Sequence, residues 1–525
     1  MARQSSWWPG RVPAGLALAG GGVLALAFPA WDLWPLALAG LLPLLWLAYR
    51  LSPRQALVGG WLFGLGLGLV QLHWLTVVMT EFGGLPWPLA GLALAALAAI
   101  LAMYPALLAG LMALARGWGL DPWWLTPLLW AGLEWVRGWL FTGFPWLPLA
   151  SALVAVPPLL QSAEIWGATG LSALVALVNA LLARAWFPAL LPDLDRRAGR
   201  RLAALGLAAV LLAGGWWAGA ARMDTVRAAM DQAPQLTVSV VQAGIPQDQL
   251  WLPAMRGEVI RRYVDLTRRE AAQVEERPWL VVWPESAAPF YFLVQARESQ
   301  PVLELARELG VHIALGSNGL IDIGPPLQAS NRVWLVGPAG RPEGHYDKVH
   351  LVPFGEYVPL PQVFFFVRAV AALGLDFRAG QVGDTLDVAG RKVGPLICYE
   401  SIFAELARAQ ARRGAQLFIN QTNDAWYGRT GASHQQMSHL ALRAVENRRA
   451  AARAATTGVS GFVTPDGVIT GQTGLFQPEA RTGRLPLLAL STPFSAAGDL
   501  AGPLGLALGL MGVAAARLRR PKAEE

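Results

Sequence analysis

The chain has 525 residues, of which 54% are hydrophobic and only 15% are charged. Soluble proteins usually have about 25% charged residues, so this composition excludes an ordinary soluble protein and indicates several membrane spans. The formal net charge is +7, and the single cysteine excludes an internal disulfide and a cysteine-rich zinc site.

Long apolar stretches fill the first 220 residues and return near the end of the chain. A helix needs about 20 residues to cross a bilayer, which makes the shorter stretches marginal. The sequence predicts eight spans, near 12–29, 34–49, 56–78, 88–114, 123–140, 164–190, 202–219 and 497–516. We expect a membrane domain with about seven helices over 1–220, a linker over 221–234, and a C-terminal span with a cytoplasmic tail over 491–525.

The distribution of basic residues predicts the orientation of these spans. The loops at 29–33 and 79–87 have no Lys or Arg, whereas the alternate span ends carry Arg3, Arg11, Arg50, Arg54, Arg116, Arg196, Arg197, Arg200, Arg201, Arg517, Arg519, Arg520 and Lys522. Only Arg137 departs from the pattern. By the positive-inside rule, both termini are cytoplasmic and residues 235–490 lie outside. Because the basic residues are dispersed, they do not indicate a nucleic-acid partner.

Between residues 235 and 490 the pattern changes to short β-rich runs that alternate with charged amphipathic stretches. Leu236–Val241 and Leu280–Trp283 are typical of strands, and Met255–Glu270 is typical of an amphipathic helix. This part of the chain is therefore predicted to be an α/β domain.

Three apolar strand-like runs of this domain end in polar residues, at Glu285, at Cys398 and over 420–424. Ligands collect at the carboxyl ends of strands in α/β sheets, so these residues are expected to converge. Glu285 alone could instead cap the turn after Pro284. Cys398 is either a buried packing thiol or a nucleophile, and the second role is favoured because an idle thiol outside the cytoplasm is open to oxidation.

Lysine is rare in this chain. It occurs only at 348, 392 and 522, although Lys and Arg together number 42. A lysine ammonium is a compact point charge, which suits an oxyanion beside a nucleophile. Taken alone, Lys348 could equally be a solvated loop residue.

Three blocks carry a resemblance to a known family: Trp283–Ser286, Asp347–Pro359 and Ile397–Ser401. They are similar to the signature blocks of the nitrilase (carbon-nitrogen hydrolase) superfamily, in the same Glu, Lys, Cys order. With the spans, Ile245–Trp251 and Asn423–Gly428, the whole chain resembles the apolipoprotein N-acyltransferases of bacterial envelopes. This resemblance implies an αββα sandwich joined to a bundle of eight membrane helices.

The resemblance also implies residue roles: Glu285 as general base, Lys348 as oxyanion stabiliser and Cys398 as nucleophile. It further implies that Glu356 is an accessory carboxylate and that Tyr399 and Glu400 are neighbours that shape the site. It places Trp251 on a mobile loop near the entrance and adds Asn331 as a further polar residue. The chain departs from the family pattern just before His434, where Gly431 and Ser433 replace Pro and Gln. We therefore assign no role to His434.

The residues themselves support acyl transfer through a thioester. Glu285 can take the thiol proton, the thiolate can attack a carbonyl, and Lys348 with a backbone N–H can hold the oxyanion. No Gly-x-x-x-x-Gly-Lys loop occurs, so we expect no nucleotide or other cofactor, and a phospholipid ester fits as the donor. The resemblance implies ping-pong transfer to the N-terminal amine of the diacylglyceryl-cysteine of an apolipoprotein, at the periplasmic face of the bacterial inner membrane.

Two other functions remain open at this point. A membrane-tethered amidase of the nitrilase type would use the same triad but pass the acyl group to water. A transporter or assembly scaffold would need ionisable residues in several spans, which are nearly uncharged apart from His73, Glu134, Arg137 and Glu164. Metal or serine chemistry is disfavoured, because the chain has no His-Glu-x-x-His and no Gly-x-Ser-x-Gly.

Overall fold

The computed structural model describes residues 7–187, 197–273, 280–324, 327–359, 362 and 376–519. Of the basic residues used to predict orientation, Arg3, Arg196, Arg520 and Lys522 lie outside these ranges. The chain forms two compact units. The helical unit comprises Met1–Thr76, Leu85–Met223 and Ala497–Glu525, and the α/β unit comprises Val77–Gly84 and Asp224–Ala496.

The first half of the chain is helical. Its α-helices are α1 (Arg11–Ala25), α2 (Leu42–Arg50), α3 (Pro53–Gln71), α4 (Trp74–Val77), α5 (Trp87–Leu101), α6 (Met103–Gly117), α7 (Leu125–Arg137), α8 (Pro157–Leu160), α9 (Ala163–Trp186) and α10 (Arg197–Gln232). A π-helical turn occupies Val78–Phe82, and short 3₁₀ helices occupy Trp34–Leu38, Pro122–Trp124, Leu140–Thr142 and Leu149–Ala155. The linker predicted over 221–234 lies mostly within α10, which continues to Gln232.

Glycines on α3 let neighbouring helices approach closely. A Cβ at Gly66 would collide with the backbone of Leu18 on α1, and one at Gly64 would collide with Ala102 between α5 and α6. Such contacts between small residues are typical of helices that pack in a membrane, where close backbone approach replaces the hydrophobic driving force.

Four helical stretches among the described residues are long and apolar enough to cross a membrane: Trp87–Gly117, Ala163–Trp186, Ala198–Gln232 and Ala501–Leu518. The count is five if Pro53–Gln71 and Trp74–Phe82, which meet at 56°, form one broken span. The spans predicted near 12–29, 34–49 and 123–140 correspond to shorter helices, because apolar composition does not reveal where a turn interrupts a helix.

The α/β unit contains two sheets. The first has the order β14-β1-β2-β4-β5-β6, with β3 and β7 paired to β4 and β5, and the second has the order β13-β12-β11-β10-β9-β8. The strands are β1 (Gln235–Gln242), β2 (Leu280–Val282), β3 (Ala288–Tyr291), β4 (His312–Asp322), β5 (Gln328–Val336), β6 (Pro342–Asp347), β7 (Asp376–Phe377), β8 (Leu386–Val388), β9 (Arg391–Ile397), β10 (Leu417–Thr422), β11 (Ala450–Ala455), β12 (Gly461–Val463), β13 (Ile469–Thr470) and β14 (Glu479–Pro486).

Helices cover both sheets. They are α11 (Gln247–Leu250), α12 (Arg256–Gln273), α13 (Ala296–Leu309), α14 (Ala404–Arg412), α15 (Ala432–Asn447) and α16 (Pro493–Ala497), and α17 (Ala501–Leu518) closes the chain. Short 3₁₀ helices occupy Pro253–Met255, Cys398–Ile402 and Asp424–Tyr427. The amphipathic helix and the two strands predicted at the start of this unit are confirmed as α12, β1 and β2.

The two sheets pack face to face between the helices. Helices α12 and α13 pack on the first sheet, where the rings of Tyr263 and Trp283 stack 5.1 Å apart, and α14 and α15 pack on the second. The side chain of Gln421 on β10 crosses between the sheets and donates to the carbonyls of Trp283 at 2.5 Å and Ala314 at 3.1 Å. The predicted αββα sandwich is therefore confirmed.

The polar residues singled out in the sequence follow the carboxyl ends of parallel strands. Strand β2 runs parallel to β1 and β4 and ends shortly before Glu285. Strands β9 and β10 run parallel to each other, and they end directly before Cys398 and Asn423. Glu285, Cys398 and Asn423 therefore follow the carboxyl ends of parallel strands, as predicted for these three residues.

Candidate active site

Cys398 lies at the sharp turn between β9 and the following 3₁₀ helix. Its φ of 50° is a left-handed conformation that a residue with a Cβ rarely adopts, and its side chain is buried. Strained backbone of this kind persists only where the surroundings fix it. Here the carboxylate of Glu400 accepts a hydrogen bond from the backbone N–H of Ile397 at 2.6 Å and so closes the turn.

Glu400 also joins this turn to the loop that carries Lys348. Its Oε1 accepts from the backbone N–H groups of Val349 at 2.6 Å and His350 at 3.1 Å, and the Tyr346 hydroxyl donates to both of its oxygens at 3.1 Å. Burial raises the pKa of the Glu400 carboxyl to about 7, although the backbone donors and Lys348 oppose this. Glu400 therefore fixes the Lys348 loop relative to the Cys398 turn.

Lys348 follows the last residue of β6 and is almost fully buried. Its Nζ lies 2.9 Å from Oε1 of Glu356 and 3.6 Å from Oε1 of Glu285. Burial alone would lower the pKa of this ammonium, but the carboxylates of Glu356 and Glu285 outweigh it and hold the pKa well above its usual value. Lys348 is therefore a fixed positive charge.

Asn331 on β5 bridges the two carboxylates. Its Nδ2 donates to Oε1 of Glu285 at 2.6 Å and to Oε1 of Glu356 at 2.8 Å. The remaining oxygens are held by backbone, because Asn423 N donates to Oε2 of Glu285 at 2.8 Å and Val352 N donates to Oε2 of Glu356 at 2.7 Å. Glu285, Asn331, Lys348 and Glu356 thus form one hydrogen-bonded cluster.

The Cys398 thiol is electrostatically coupled to this cluster. Burial and the Glu285 carboxylate raise the pKa of the thiol to about 12, while Lys348 lowers it. A thiol with this pKa is protonated near neutral pH, so it needs a base before it can act as a nucleophile. Two carboxylates, Glu285 and Asp424, contribute to the raised pKa of this thiol, and Glu285 has the larger effect.

The other candidates occupy more peripheral places. Tyr399 is buried, and its ring lies 5.1 Å from that of Phe403 and 5.7 Å from that of His350. Trp251 is 40% exposed at the end of α11, a helix whose Gln247 accepts a hydrogen bond from Asn423. His434 is half-buried on α15.

Three residues beside the sulfur were missed by sequence reasoning. Tyr427 and Gln436 place a hydroxyl oxygen and an amide nitrogen 3.8 and 3.9 Å from Sγ of Cys398. Arg453, fully buried on β11, donates to Gln436 at 2.8 Å. The available signal was a lone arginine within the apolar strand Ala450–Ala455, because an unneeded charge is rarely buried in such a strand.

Within the described ranges, no group of three or more His, Cys, Asp or Glu side chains is placed to hold a metal ion.

Known sequences match both parts of the chain. Residues 20–181 match the family described as the apolipoprotein N-acyltransferase N-terminal domain, and residues 237–488 match the carbon-nitrogen hydrolase family. A Geobacter metallireducens protein named apolipoprotein N-acyltransferase is 39% identical over 475 residues, which cover 90% of this chain and 89% of the relative. A Methylococcus capsulatus protein of the same name is 37% identical over 521 residues, 96% of each chain.

Proposed function

The chain belongs to the apolipoprotein N-acyltransferase family, and from this premise we propose that it transfers an acyl chain from a membrane phospholipid to an apolipoprotein. The acceptor is the N-terminal amine of the diacylglyceryl-cysteine, and the acyl chain passes through a thioester on Cys398. The observation that carries the proposal is the buried thiol of the single cysteine, on a turn that Glu400 joins to the loop of Lys348, whose ammonium lies 3.6 Å from Glu285.

In the first half-reaction, Glu285 takes the proton of the Cys398 thiol and the sulfur attacks the ester carbonyl of the phospholipid. The carbonyl oxygen becomes an oxyanion, which the Lys348 ammonium stabilises because its charge is fixed and its position is held by Glu356. The ester C–O bond then breaks, Glu285 returns the proton to the leaving oxygen, and lysophospholipid departs.

In the second half-reaction, the amine of the acceptor attacks the thioester carbonyl. Lys348 stabilises the new oxyanion, Glu285 takes a proton from the attacking nitrogen, and collapse of the intermediate gives the amide and frees the sulfur. An amide is more stable than the ester from which the acyl chain came, so the transfer needs no nucleotide. One thiol serves both half-reactions, which requires ping-pong kinetics.

The setting that suits this chemistry is the bacterial inner membrane, with the α/β unit on the periplasmic side and both termini cytoplasmic. The distribution of Arg and Lys along the chain supports this orientation. Phospholipid is abundant there, and the acceptor is itself anchored by its diacylglyceryl group, so the bilayer would present both substrates to the enzyme.

The test is intact-protein mass spectrometry of the purified, detergent-solubilised protein after incubation with phospholipid. We expect a mass increment of one acyl chain that hydroxylamine removes and that Cys398→Ala lacks. Added diacylated lipopeptide should discharge the acyl chain as an amide. The proposal fails if Cys398→Ala still acylates the lipopeptide. Release of free fatty acid, with no amide formed, would instead identify a membrane-tethered amidase.

A further inference from the structure

A chain of hydrogen bonds from the second sheet ends at the sulfur of Cys398. Arg453 Nη2 donates to Oε1 of Gln436 at 2.8 Å, and Gln436 Nε2 donates to the hydroxyl oxygen of Tyr427 at 2.9 Å. The Tyr427 hydroxyl and Gln436 Nε2 lie 3.8 and 3.9 Å from Sγ. The three side chains come from β11, α15 and the 3₁₀ helix after β10, whereas Glu285 and Lys348 follow strands of the first sheet.

The guanidinium fixes which way the Gln436 amide points. Arginine can only donate hydrogen bonds, so the amide atom that faces Arg453 must be the oxygen. The Thr422 hydroxyl lies 3.2 Å from the same oxygen. The amide nitrogen therefore faces Tyr427 and the sulfur, and both of its hydrogens have an acceptor in reach.

The same logic orients the Tyr427 hydroxyl. Its oxygen accepts a hydrogen bond from Gln436, and Sγ lies within reach of its own proton. Burial and the Cys398 sulfur both raise the pKa of the Tyr427 phenol, so this group keeps its proton. The sulfur is thus faced by an O–H and an N–H donor, both neutral, in addition to the Thr422 hydroxyl, whose hydrogen bond also lowers the thiol pKa.

The guanidinium of Arg453 is held in place by an extensive set of hydrogen bonds. It is fully buried, and besides Gln436 it donates to Oδ2 of Asp424 at 2.9 Å, to the carbonyl of Val459 at 3.1 Å and to Oδ1 of Asn420. A buried ion pair seldom stabilises a fold more than apolar side chains of the same volume would. The Arg453–Asp424 pair is therefore better explained by the orientation it imposes on Gln436.

We propose that Tyr427 and Gln436 are further catalytic residues, which donate hydrogen bonds to Cys398 Sγ and stabilise it as the thiolate that leaves the acyl-enzyme, and that Arg453 is the residue that positions them. In that step the acceptor nitrogen forms its bond to the carbonyl carbon, and the C–S bond breaks with its electron pair passing to sulfur. The proton of the attacking amine goes to Glu285. The inference rests on the proposed role of Cys398 as nucleophile.

The donors answer a need that the first-sheet cluster meets only in part, because Lys348 lowers the thiol pKa while Glu285 raises it. Glu285 adds negative charge near the sulfur, and a buried thiolate has no water to solvate it. Hydrogen bonds to a charged acceptor are stronger than those to a neutral one, so these donors stabilise the thiolate more than the thioester. They therefore favour breakdown of the acyl-enzyme.

The first experiment measures alkylation of the full-length, detergent-solubilised protein by iodoacetamide at pH 8. Cys398 is the only cysteine, so every adduct reports on this thiol. Loss of one donor should raise the thiol pKa by about one unit and slow alkylation about three- to tenfold in Tyr427→Phe, since the higher nucleophilicity of the rarer thiolate offsets part of the loss.

Gln436→Glu is the sharper variant, because it keeps the acceptor for Arg453 but replaces the N–H donor with a second carboxylate oxygen. Alkylation should then slow more than in Tyr427→Phe. Tyr263→Phe is the matched control, since that buried tyrosine stacks on Trp283 in the core of the first sheet, and it should alkylate at the wild-type rate.

The second experiment isolates the step itself. Acyl-enzyme formed from phospholipid is mixed with diacylated lipopeptide, and single-turnover loss of the thioester is followed by mass spectrometry. We expect Tyr427→Phe and Gln436→Glu to slow this loss about tenfold or more at saturating lipopeptide, with unchanged half-saturation. For the positioning residue, Arg453→Lys should slow it in the same way, and Arg453→Lys combined with Gln436→Leu should be no slower than Gln436→Leu alone.

The outcomes separate this inference from the proposed function. If the variants alkylate and discharge at wild-type rates while wild-type protein forms its thioester, the inference is overturned and Cys398 keeps its role. If wild-type protein forms no thioester on Cys398, the proposed function fails, and alkylation alone then decides whether the two donors act on the thiol.

Discussion

The two sheets of the α/β unit contribute different chemistry to one sulfur atom. The first sheet and its loops supply the charged groups Glu285, Lys348 and Glu356, with Asn331 between them. The second sheet supplies the thiol and the neutral groups that face it, and its buried charges Arg453 and Asp424 are paired with each other. In the proposed reaction, the charged groups would act on the substrate carbonyl, and the neutral donors would act on the departing sulfur.

This difference indicates how substitutions should behave. Changes on the first-sheet side alter charges that act directly on the oxyanion or the base, so they should lower the rates of both half-reactions. Changes on the second-sheet side alter the thiol and its departure, so they should slow the second half-reaction more than the first. The predictions below test that division.

The largest expected effect is at Lys348. Lys348→Arg keeps the positive charge, but its planar fork cannot occupy the space of an ammonium held 2.9 Å from Glu356, so both half-reactions should slow about 10²- to 10³-fold. The measurement is the single-turnover rate of thioester formation and of discharge. Lys392→Arg is the matched control, because that lysine is exposed and contacts only the carbonyl of Arg413 through its ammonium, and its rates should be normal. Slow discharge with normal thioester formation would contradict the division.

The next effect is on pH dependence. Asn331→Asp would replace the donor between Glu285 and Glu356 with a third carboxylate, which favours protonation of Glu285 and so disables it as a base. The acidic limb of the pH–rate profile for thioester formation should move to higher pH by about one unit, a tenfold loss on that limb. Asn331→Leu removes the donors without adding charge and should show a smaller displacement. Equal displacement in both variants would show that lost hydrogen bonds, not charge, are responsible.

The sequence predicts those parts of this arrangement that are determined by residues close together in the chain. Strands β2, β9 and β10 were predictable because each is an apolar run that ends in polar residues, and that pattern also identified Glu285 and Cys398. Lys348 stood out because lysine is scarce in this chain, and the block resemblance added its role and identified Glu356. The contacts of Gln436 and Arg453 could not be predicted from the sequence. They depend on how α15 and β11 lie against the Cys398 turn, and no local pattern encodes that arrangement.

The helical unit shows the same limit. Apolar composition located helical structure at all eight predicted spans, yet α1, α2 and α7 are too short to meet the length expected of a span. Hydropathy measures what a residue is and not whether it faces lipid or a neighbouring helix. Where the chain turns, as between Trp34–Leu38 and α2, tertiary packing decides the length of the helix.

A smaller effect is expected at Trp251, which follows the helix that Gln247 joins to Asn423 and lies outside both groups of residues. Its exposed ring on the segment after α11 can contact an acyl chain, so Trp251→Ala should raise the KM for phospholipid about three- to tenfold and leave kcat nearly unchanged. Leu252→Ala is the matched control, because this neighbour is also exposed. A fall in kcat at unchanged KM would place Trp251 in the chemical step and extend the comparison to a third element.

The smallest effect concerns Glu400 and His350, which meet where the two sheets join. Burial raises the pKa of Glu400 to about 7 from 4.5, so the stability it provides is complete below pH 4.5 and is lost as the pH rises through 7. Burial, with Lys348, lowers the pKa of His350 to about 4 from 6.5, so its contribution is present above pH 6.5 and is lost as the pH falls through 4. The two contributions oppose each other across nearly the same range, and they should largely cancel in the wild-type protein.

Replacing either Glu400 or His350 should reveal the pH dependence of stability that the other residue contributes. Between pH 4.5 and 6.5, the melting temperature of Glu400→Gln minus that of wild type should rise with pH, and the same difference for His350→Gln should fall. Using differences removes the titration of all other groups, provided that they are unchanged. Thermal unfolding of the detergent-solubilised protein followed by tryptophan fluorescence supplies the data. Parallel slopes in the two variants would mean that the carboxyl and the imidazole do not titrate in opposite senses, and the junction between the sheets would then lack this compensation.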